Sequence, residues 1–258
     1  MVIFRDYTTD ELVMNLPCDI GDNIKIYPVA VKDYKQFTQY VKYIMYSKKH
    51  LNLYPNMTLL QEVLIVNMLQ ICGNGILNSS EGIKATNIVL NEFSNLLSLI
   101  TKENIKGEIS KDGSFEFYNE DKTIAINDKN FNILRMVTLK MNMIKEPKIY
   151  EREIDKKWEE KALLAKSKNS KNIELGEILT IVRNVTHEKY EELIEMNTFQ
   201  LYCDYFRIQH VVNHEDTRLF ATVSDKVKPS DFIESVVEFI YKDPTKDLNV
   251  KNDFTKYI

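Results

Sequence analysis

The chain has 258 residues, 44% of them hydrophobic, and its 34 Lys and Arg residues against 38 Asp and Glu residues give a formal net charge of −4. This composition supports a folded core and excludes wholesale disorder, and the nearly balanced charge, without a basic cluster, argues against nucleic acid as a partner. Seven glycines and six prolines are too few for a many-stranded sheet or a glycine-rich phosphate loop, so we expect helices to dominate.

The cysteines and the apolar runs indicate a reduced, cytosolic protein without a membrane segment. Three cysteines without short spacings offer neither a disulfide framework nor a zinc ribbon. The first residues carry acids within their apolar stretch, which is unlike a signal peptide. The longest uncharged run, residues 63–80, is interrupted by Asn, Gln and Gly and is too polar to span a bilayer. We therefore expect no membrane partner.

The amino-terminal part predicts one short strand followed by helices. Residues 23–31 alternate apolar and polar side chains, which predicts the strand. Apolar residues at spacings of three and four then predict a helix over residues 33–50. A more hydrophobic helix follows Thr58, a candidate N-cap, and another is predicted over residues 83–104.

A change of period marks the next segment. In residues 115–126 the apolar side chains alternate with polar ones on both sides of an Asn-Glu-Asp sequence, which predicts a β-hairpin. Asn127 or Asp128 can cap a helix that runs to Ile144. The predicted fold is therefore mainly α with a minor β component, an α+β protein whose strands are the amino-terminal one and this hairpin.

A domain boundary is predicted near Ser167–Asn172. Residues 149–170 are highly charged and carry a narrow apolar stripe, and a polar Ser/Lys/Asn stretch suited to a linker follows. We therefore predict a larger unit, residues 1–168, and a smaller helical unit, residues 173–258. The stripe consists of Ile154, Trp158, Ala162 and Ala165.

The carboxy-terminal unit predicts several short helices. They span residues 175–185, 187–196 and 198–212, followed by a short extended piece over residues 219–223 and a final helix over residues 230–241.

Two chemical sites suggest themselves in this unit, and packing explains both more simply. His210 and His214 have the i, i+4 spacing of a metal pair, but the glutamate of the metalloprotease motif is missing. Cys203 lies in an aromatic helix, where burial would make its thiol inert. We therefore predict no metal, no cofactor and no catalytic residue.

An aromatic stripe remains as the main feature of this unit. Arg207 lies at the margin of this stripe, whose members follow helical spacing: Phe199, Tyr202, Tyr205, Phe206 and Val212. Such a stripe is either core or a surface that receives another chain, and the sequence leaves both alternatives open.

Three segments carry a resemblance to a known family. Residues 178–208, "ILTIVRNVTHEKYEELIEMNTFQLYCDYFRI", residues 125–142, "AINDKNFNILRMVTLKMN", and the segment from residue 24 to residue 51 resemble tail assembly chaperone-like proteins of bacteriophages that infect low-GC Gram-positive bacteria. The resemblance implies a protein without enzymatic activity that binds the long tape measure protein, the tail tube subunits, or both, in the cytoplasm of the host cell.

If the resemblance holds, exposed apolar or aromatic side chains should bind the partner. The candidates are Trp158, Phe199, Tyr202, Phe206 and Arg207. Self-association of the chain is left open. The alternative function is a virion structural component, such as a baseplate or head–tail connector protein, and an enzyme acting on nucleic acid or peptidoglycan ranks below both.

Overall fold

The computed structural model describes residues 8–51, 53–73, 79–110, 113–167, 173–230 and 235. These residues confirm a mainly α fold with a minor β component. The chain divides into two compact units. The first comprises Met1–Pro147 with Ile194–Phe199, and the second comprises Lys148–Leu193 with Gln200–Ile258.

Most of the regular structure is helical. The α-helices are α1 (Thr9–Val13), α2 (Tyr34–Tyr40), α3 (Lys48–Leu51), α4 (Leu59–Cys72), α5 (Ser80–Thr101), α6 (Phe131–Met141), α7 (Glu153–Ser167), α8 (Leu175–Thr186), α9 (Tyr190–Leu193) and α10 (Thr198–Ala221). The strands are β1 (Cys18–Asp19), β2 (Lys25–Ile26), β3 (Ile105–Ile109), β4 (Phe115–Asn119) and β5 (Ala125–Ile126).

Two small antiparallel sheets accompany the helices of the first unit. β1 pairs with β2, and β3, β4 and β5 pair in that order. The β4–β5 pair confirms the predicted hairpin. β3 was not predicted, and Gly107 within it lies opposite Phe117 of β4, where the ring occupies the space that a side chain at position 107 would need.

An aromatic cluster forms the centre of the first unit. The Phe93 ring lies 4.7 Å from that of Phe117, 5.6 Å from that of Tyr43 and 5.7 Å from that of Phe131, measured between centroids. The two phenylalanine pairs are edge-to-face, the geometry that aromatic quadrupoles favour. All four rings are buried, so α5, α6 and the larger sheet share one core.

Helix α4 begins as predicted at Thr58. The Thr58 hydroxyl accepts the amide of Gln61 at 3.3 Å, and the Gln61 side chain accepts the Thr58 amide at 3.1 Å, which makes a capping box. Glu62 follows as a buried acid. Its carboxylate accepts the backbone amides of Leu53 and Tyr54 and contacts the Lys48 ammonium group, so the burial of its charge is compensated.

The single helix predicted over residues 33–50 is wrong as one element. Helix α2 ends at Tyr40, a 3₁₀ turn covers Val41–Tyr43, and α3 starts only at Lys48. The buried Arg135 of α6 donates to the carbonyl oxygen of Ile44 at 3.3 Å. A distant side chain therefore takes the carbonyl group that a continuing helix would use.

A segment from late in the chain completes the first unit. The amide of Val31 donates to the carbonyl oxygen of Met196 at 2.8 Å, and that of Lys32 to Ile194 at 3.0 Å. The Asn197 side chain donates to the Leu12 carbonyl oxygen at 2.9 Å. These contacts accompany a turn at residues 194–195 and an isolated β-bridge between Asn197 and Ala30. The helix predicted over residues 187–196 is therefore wrong in extent, and only α9 forms there.

Two of the predicted features fall mostly on residues outside the described ranges. The predicted linker at Ser167–Asn172 lies outside the described residues except for Ser167, where α7 ends. Nearly all of the final helix predicted over residues 230–241 lies outside them as well. The division between residues 168 and 173 therefore stays a prediction. None of the helices in the described ranges combines the length and the apolar character needed to cross a membrane.

Candidate protein-binding surface

Helix α7 carries the predicted apolar stripe on an exposed surface. Ile154 is 56% exposed and Trp158 is 67% exposed. None of the α7 side chains that the structure describes is buried. Lys161 lies 5.8 Å from the centre of the Trp158 ring, within cation–π range. Because most helical stability comes from tertiary packing, the described side chains of this 15-residue helix contribute little of it.

Polar contacts attach the preceding chain to α7. The Lys148 ammonium group and the Tyr150 hydroxyl each contact the Glu159 carboxylate at 2.7 Å. Arg152 pairs with both carboxylate oxygens of Asp155 at 2.9 Å. The hydrogen bond to Glu159 raises the pKa of Tyr150, so its hydroxyl stays a donor at neutral pH. Such local contacts, rather than a core, orient the α7 stripe.

Helices α8 and α9 form the next part of the second unit. Ile178 and Val182 are the buried residues of α8. The helix ends at His187, which adopts a left-handed conformation with φ 62° and donates its amide to Arg183 at 2.9 Å. The Arg183 guanidinium group lies 5.0 Å from the centre of the Tyr190 ring. This cap and this stacking contact set the direction of the chain between the two helices.

An aromatic cluster lies on α10. The Tyr202 and Phe206 rings are stacked, with centroids 6.2 Å apart and planes at 28°, and the Tyr205 ring lies 5.4 Å from that of Phe206. Gln209 donates to the Tyr205 hydroxyl at 2.6 Å. Tyr205 is buried, whereas Tyr202 and Phe206 are half-buried. Burial, with a smaller contribution from Tyr205, raises the pKa of Tyr202.

The five residues predicted to bind a partner fall into three places. Trp158 is exposed on α7. Tyr202 and Phe206 are in ring contact on α10, followed by the half-buried Arg207. Phe199 is fully buried and belongs to the first unit, so it serves the core and is not part of an accessible face. The structure therefore brings the Tyr202 and Phe206 rings together, whereas Phe199 of the same helix is buried.

The surroundings of Cys203 favour packing over nucleophilic chemistry. Burial, assisted by Asp204 and opposed by Arg207, raises the pKa of the Cys203 thiol to about 11. Burial and the nearby Glu188 also raise the pKa of Asp204. At neutral pH the thiol is protonated, and the thiolate is the form that acts as a nucleophile or a metal ligand.

The predicted histidine pair lies on one long helix. His214 Nδ1 contacts the carbonyl oxygen of Ser230, and the Ser230 amide donates to the Thr217 hydroxyl at 2.9 Å. His214 therefore helps to hold the chain that follows α10. Within the described ranges, no group of three or more His, Cys, Asp or Glu side chains is placed to hold a metal ion.

Residues at the end of α10 form an exposed apolar patch that sequence reasoning missed. The extended piece predicted over residues 219–223 is wrong, because α10 continues to Ala221. Glycine and proline are absent from the helix. The Thr217 hydroxyl donates to the carbonyl oxygen of Asn213, one turn earlier, at 2.8 Å. Leu219 and Phe220 are exposed as a result. The signal for this patch was the uninterrupted helical composition.

Comparison with known proteins gives one informative similarity. The SPbeta prophage-derived uncharacterized protein YomV of Bacillus subtilis (strain 168) is 32% identical to this chain over 134 residues. The alignment covers 52% of this chain and 56% of that protein, so the chain spans little more than half of its relative's length. No protein-family model and no solved structure matches the chain. The similarity indicates a phage protein of low-GC Gram-positive hosts.

Proposed function

We propose that this protein is a non-enzymatic phage tail assembly protein that acts in the cytoplasm of the host cell. Its partners would be the tape measure protein, the tail tube subunits, or both. The similarity to a prophage-derived protein supports the phage origin. The observation that carries the assembly role is the exposed stripe of α7, with Trp158 two-thirds accessible.

The physical basis of the proposal is an exposed apolar stripe on a helix whose other side chains are mostly charged. Trp158 offers a large ring, and tryptophan is enriched among the residues that dominate protein–protein binding energies. The rest of α7 is highly charged, which keeps such a helix soluble before a partner arrives. A helical partner could lay its own apolar face along Ile154 and Trp158.

The aromatic cluster of α10 supports the same role as a second contact area. Tyr202 and Phe206 retain accessible surface, and stacked rings bury a large area at low entropic cost. The raised pKa of the Cys203 thiol in the same helix favours packing over nucleophilic chemistry at that residue.

Co-expression with the tape measure protein of the same phage tests the proposal. The Trp158→Ala variant should capture that protein at least about thirtyfold more weakly, the effect of losing a binding hot spot of about 2 kcal/mol. Ile88→Ala is the matched control, because Ile88 is an exposed apolar residue of α5 in the first unit. Equal capture by wild type and both variants would remove α7 from the interface, and absence of capture by wild type would reject this partner.

Two further measurements separate the alternatives. The double variant Tyr202→Ala/Phe206→Ala should weaken capture while it keeps the helical circular dichroism, whereas loss of the fold would assign both rings to the core. Mass spectrometry of purified particles should find the protein absent from finished virions. Its stoichiometric presence there would identify a virion structural component instead.

A further inference from the structure

A cavity lies within the first unit. It has a volume of about 290 Å³ and lies beside helix α4. Its wall includes Val63, Val66 and Asn67 of α4, the Leu51 side chain at the end of α3, and Lys42 and Tyr46 from the chain between α2 and α3. All of these residues belong to the first unit.

One buried polar group in this wall retains a hydrogen-bonding atom. Asn67 is only 8% exposed, and its Nδ2 donates to the carbonyl oxygen of Val63 at 2.8 Å. In the described part of the chain its Oδ1 accepts no hydrogen bond, yet this oxygen is not sealed from solvent. Since Asn67 lines the cavity, Oδ1 is the acceptor that it offers there. A ligand donor that pairs with this oxygen would take the place of water, whereas a ligand without a donor would cover the oxygen and leave it unpaired, so the acceptor favours a ligand with a donor.

The charge at the cavity is compensated by the protein itself. The Lys42 ammonium group lies 2.7 Å from the Glu92 carboxylate, which also accepts the Tyr43 hydroxyl at 2.7 Å. The cavity therefore presents aliphatic surface and neutral hydrogen-bonding groups, with no uncompensated charge among these residues. Phosphates and other anions gain little from such a lining.

The volume sets the size of the group that fits. A cavity of about 150 Å³ holds one benzene ring, so a cavity of about 290 Å³ has room for a two-ring group of roughly ten heavy atoms. An indole ring has nine heavy atoms, a flat apolar body and one N–H donor. The aliphatic side chains of Leu51, Val63 and Val66 can cover its faces while the N–H reaches the acceptor of Asn67.

We propose that this cavity binds a neutral aromatic group with a single N–H donor, of the indole class. The site goes beyond the assembly role, because its residues lie outside the second unit. The group could be a free small molecule or a tryptophan side chain of a polypeptide, and both present the same chemistry to Asn67.

Titration of the full chain with indole tests the proposal, followed by calorimetry and by methyl NMR of Val63, Val66 and Leu51. Saturable binding should shift these methyl signals. Benzothiophene has the same shape without the N–H donor and should bind about tenfold more weakly, because its ring would cover the Asn67 oxygen without pairing with it. Absence of saturable indole binding, or equal affinity for benzothiophene, would overturn the proposal.

Three variants link binding to the cavity. Val66→Phe should fill the space and abolish indole binding, and Asn67→Leu should reduce the preference for indole over benzothiophene to about one. Asn95→Ala is the control, because Asn95 lies exposed on α5 outside the cavity wall. Circular dichroism and urea midpoints verify that each variant is folded. Unchanged binding by a folded Val66→Phe variant would place the ligand elsewhere.

A second titration distinguishes the two sources of the aromatic group. N-acetyltryptophanamide carries the ring on a peptide-like backbone. Binding of this compound supports a site that accepts tryptophan from a polypeptide, whereas binding of indole alone supports a free small molecule. Both outcomes leave tail-protein capture through α7 untouched, so the two proposals fail or succeed separately.

Discussion

Helices α5 and α7 are both long and both carry an apolar stripe, yet the two helices differ in how far their side chains are buried. The inner face of α5 is buried along its whole length, from Gly82 to Thr101. Helix α7 buries none of its described side chains. An apolar stripe in a sequence thus predicts that one face of a helix packs against another surface. It does not predict whether that surface belongs to the same chain.

The neighbours of the two helices explain the difference. Phe93 of α5 meets rings from the β-sheet and from α6, so its face is covered within the first unit. The corresponding position of α7, Trp158, has a lysine of its own helix over the ring. The first is a structural helix, whereas the second leaves its described apolar side chains accessible.

The largest expected effect comes from the centre of α5. Phe93→Ala removes the ring that three other aromatic rings contact, and large-to-small changes of this kind cost about 3–5 kcal/mol. Urea denaturation followed by circular dichroism should show the loss as a lower midpoint. A loss below about 1 kcal/mol would contradict the description of α5 as a core helix.

A smaller loss is expected where β3 meets β4. A Cβ atom at Gly107 would lie 2.3 Å from the Phe117 ring, so Gly107→Ala should overpack the core and destabilise the protein by about 1–3 kcal/mol. Gly176 in α8 is the matched control, because a Cβ atom there meets nothing within 4 Å. Gly176→Ala should be neutral or stabilising by up to about 1 kcal/mol. The same denaturation assay measures both, and a reversed order would contradict the packing of β3.

The buried acid of α4 predicts a dependence on pH. Burial raises the pKa of Glu62, but the hydrogen bonds from Lys48, Tyr54 and Leu53 outweigh it and hold the pKa below its ordinary value of 4.5. Because the folded pKa is the lower one, ionised Glu62 stabilises the fold above about pH 4.5, and this contribution is lost as the pH falls through the folded pKa.

Glu62→Gln should therefore cost about 1–2 kcal/mol at pH 7, the size of one charge-assisted hydrogen bond. It should cost progressively less below pH 4.5, where the wild-type carboxyl group is also losing its charge. Urea unfolding midpoints of wild type and Glu62→Gln, measured from pH 3 to pH 7 in steps of about one pH unit, test this prediction. Parallel curves would show that another group causes the acid sensitivity.

The smallest effect on stability is expected for the exposed Trp158 of α7. Trp158→Ala should change the free energy of unfolding by no more than about 0.5 kcal/mol, as for other exposed positions. A loss greater than about 1 kcal/mol in the same urea assay would show that Trp158 is packed. The variant would then be unsuitable as a probe of partner binding.

Local patterns predicted a large part of the fold. The hairpin over residues 115–126, the capping box at Thr58 and the helices α5, α6 and α8 follow from spacing and from capping chemistry, which depend on neighbours in sequence. Strand β3 was not predicted because its short sequence, "IKGEI", has a glycine at its centre in place of an apolar side chain. The Phe117 ring of β4 fills the space beside this glycine.

The remaining differences come from contacts between residues far apart in sequence. The bond from Arg135 to Ile44 interrupts a helix, and the pairing of Val31 with Met196 keeps another from forming. The same limitation applies to the candidate surface. The sequence left the role of the aromatic stripe of α10 open, and the structure divides that stripe between a buried Phe199 and the half-buried Tyr202 and Phe206.

The contacts of residues 194–199 have a consequence for the order of events during synthesis. Because these residues belong to the first unit, a ribosome must translate all of α7, α8 and α9 of the second unit before the first unit can be completed. Until then, the Leu12 carbonyl group lacks the Asn197 side chain and the Val31 amide lacks the Met196 carbonyl group as hydrogen-bond partners. Folding of the first unit should therefore finish late on the nascent chain, and a stalled chain that ends before residue 194 should remain protease-sensitive.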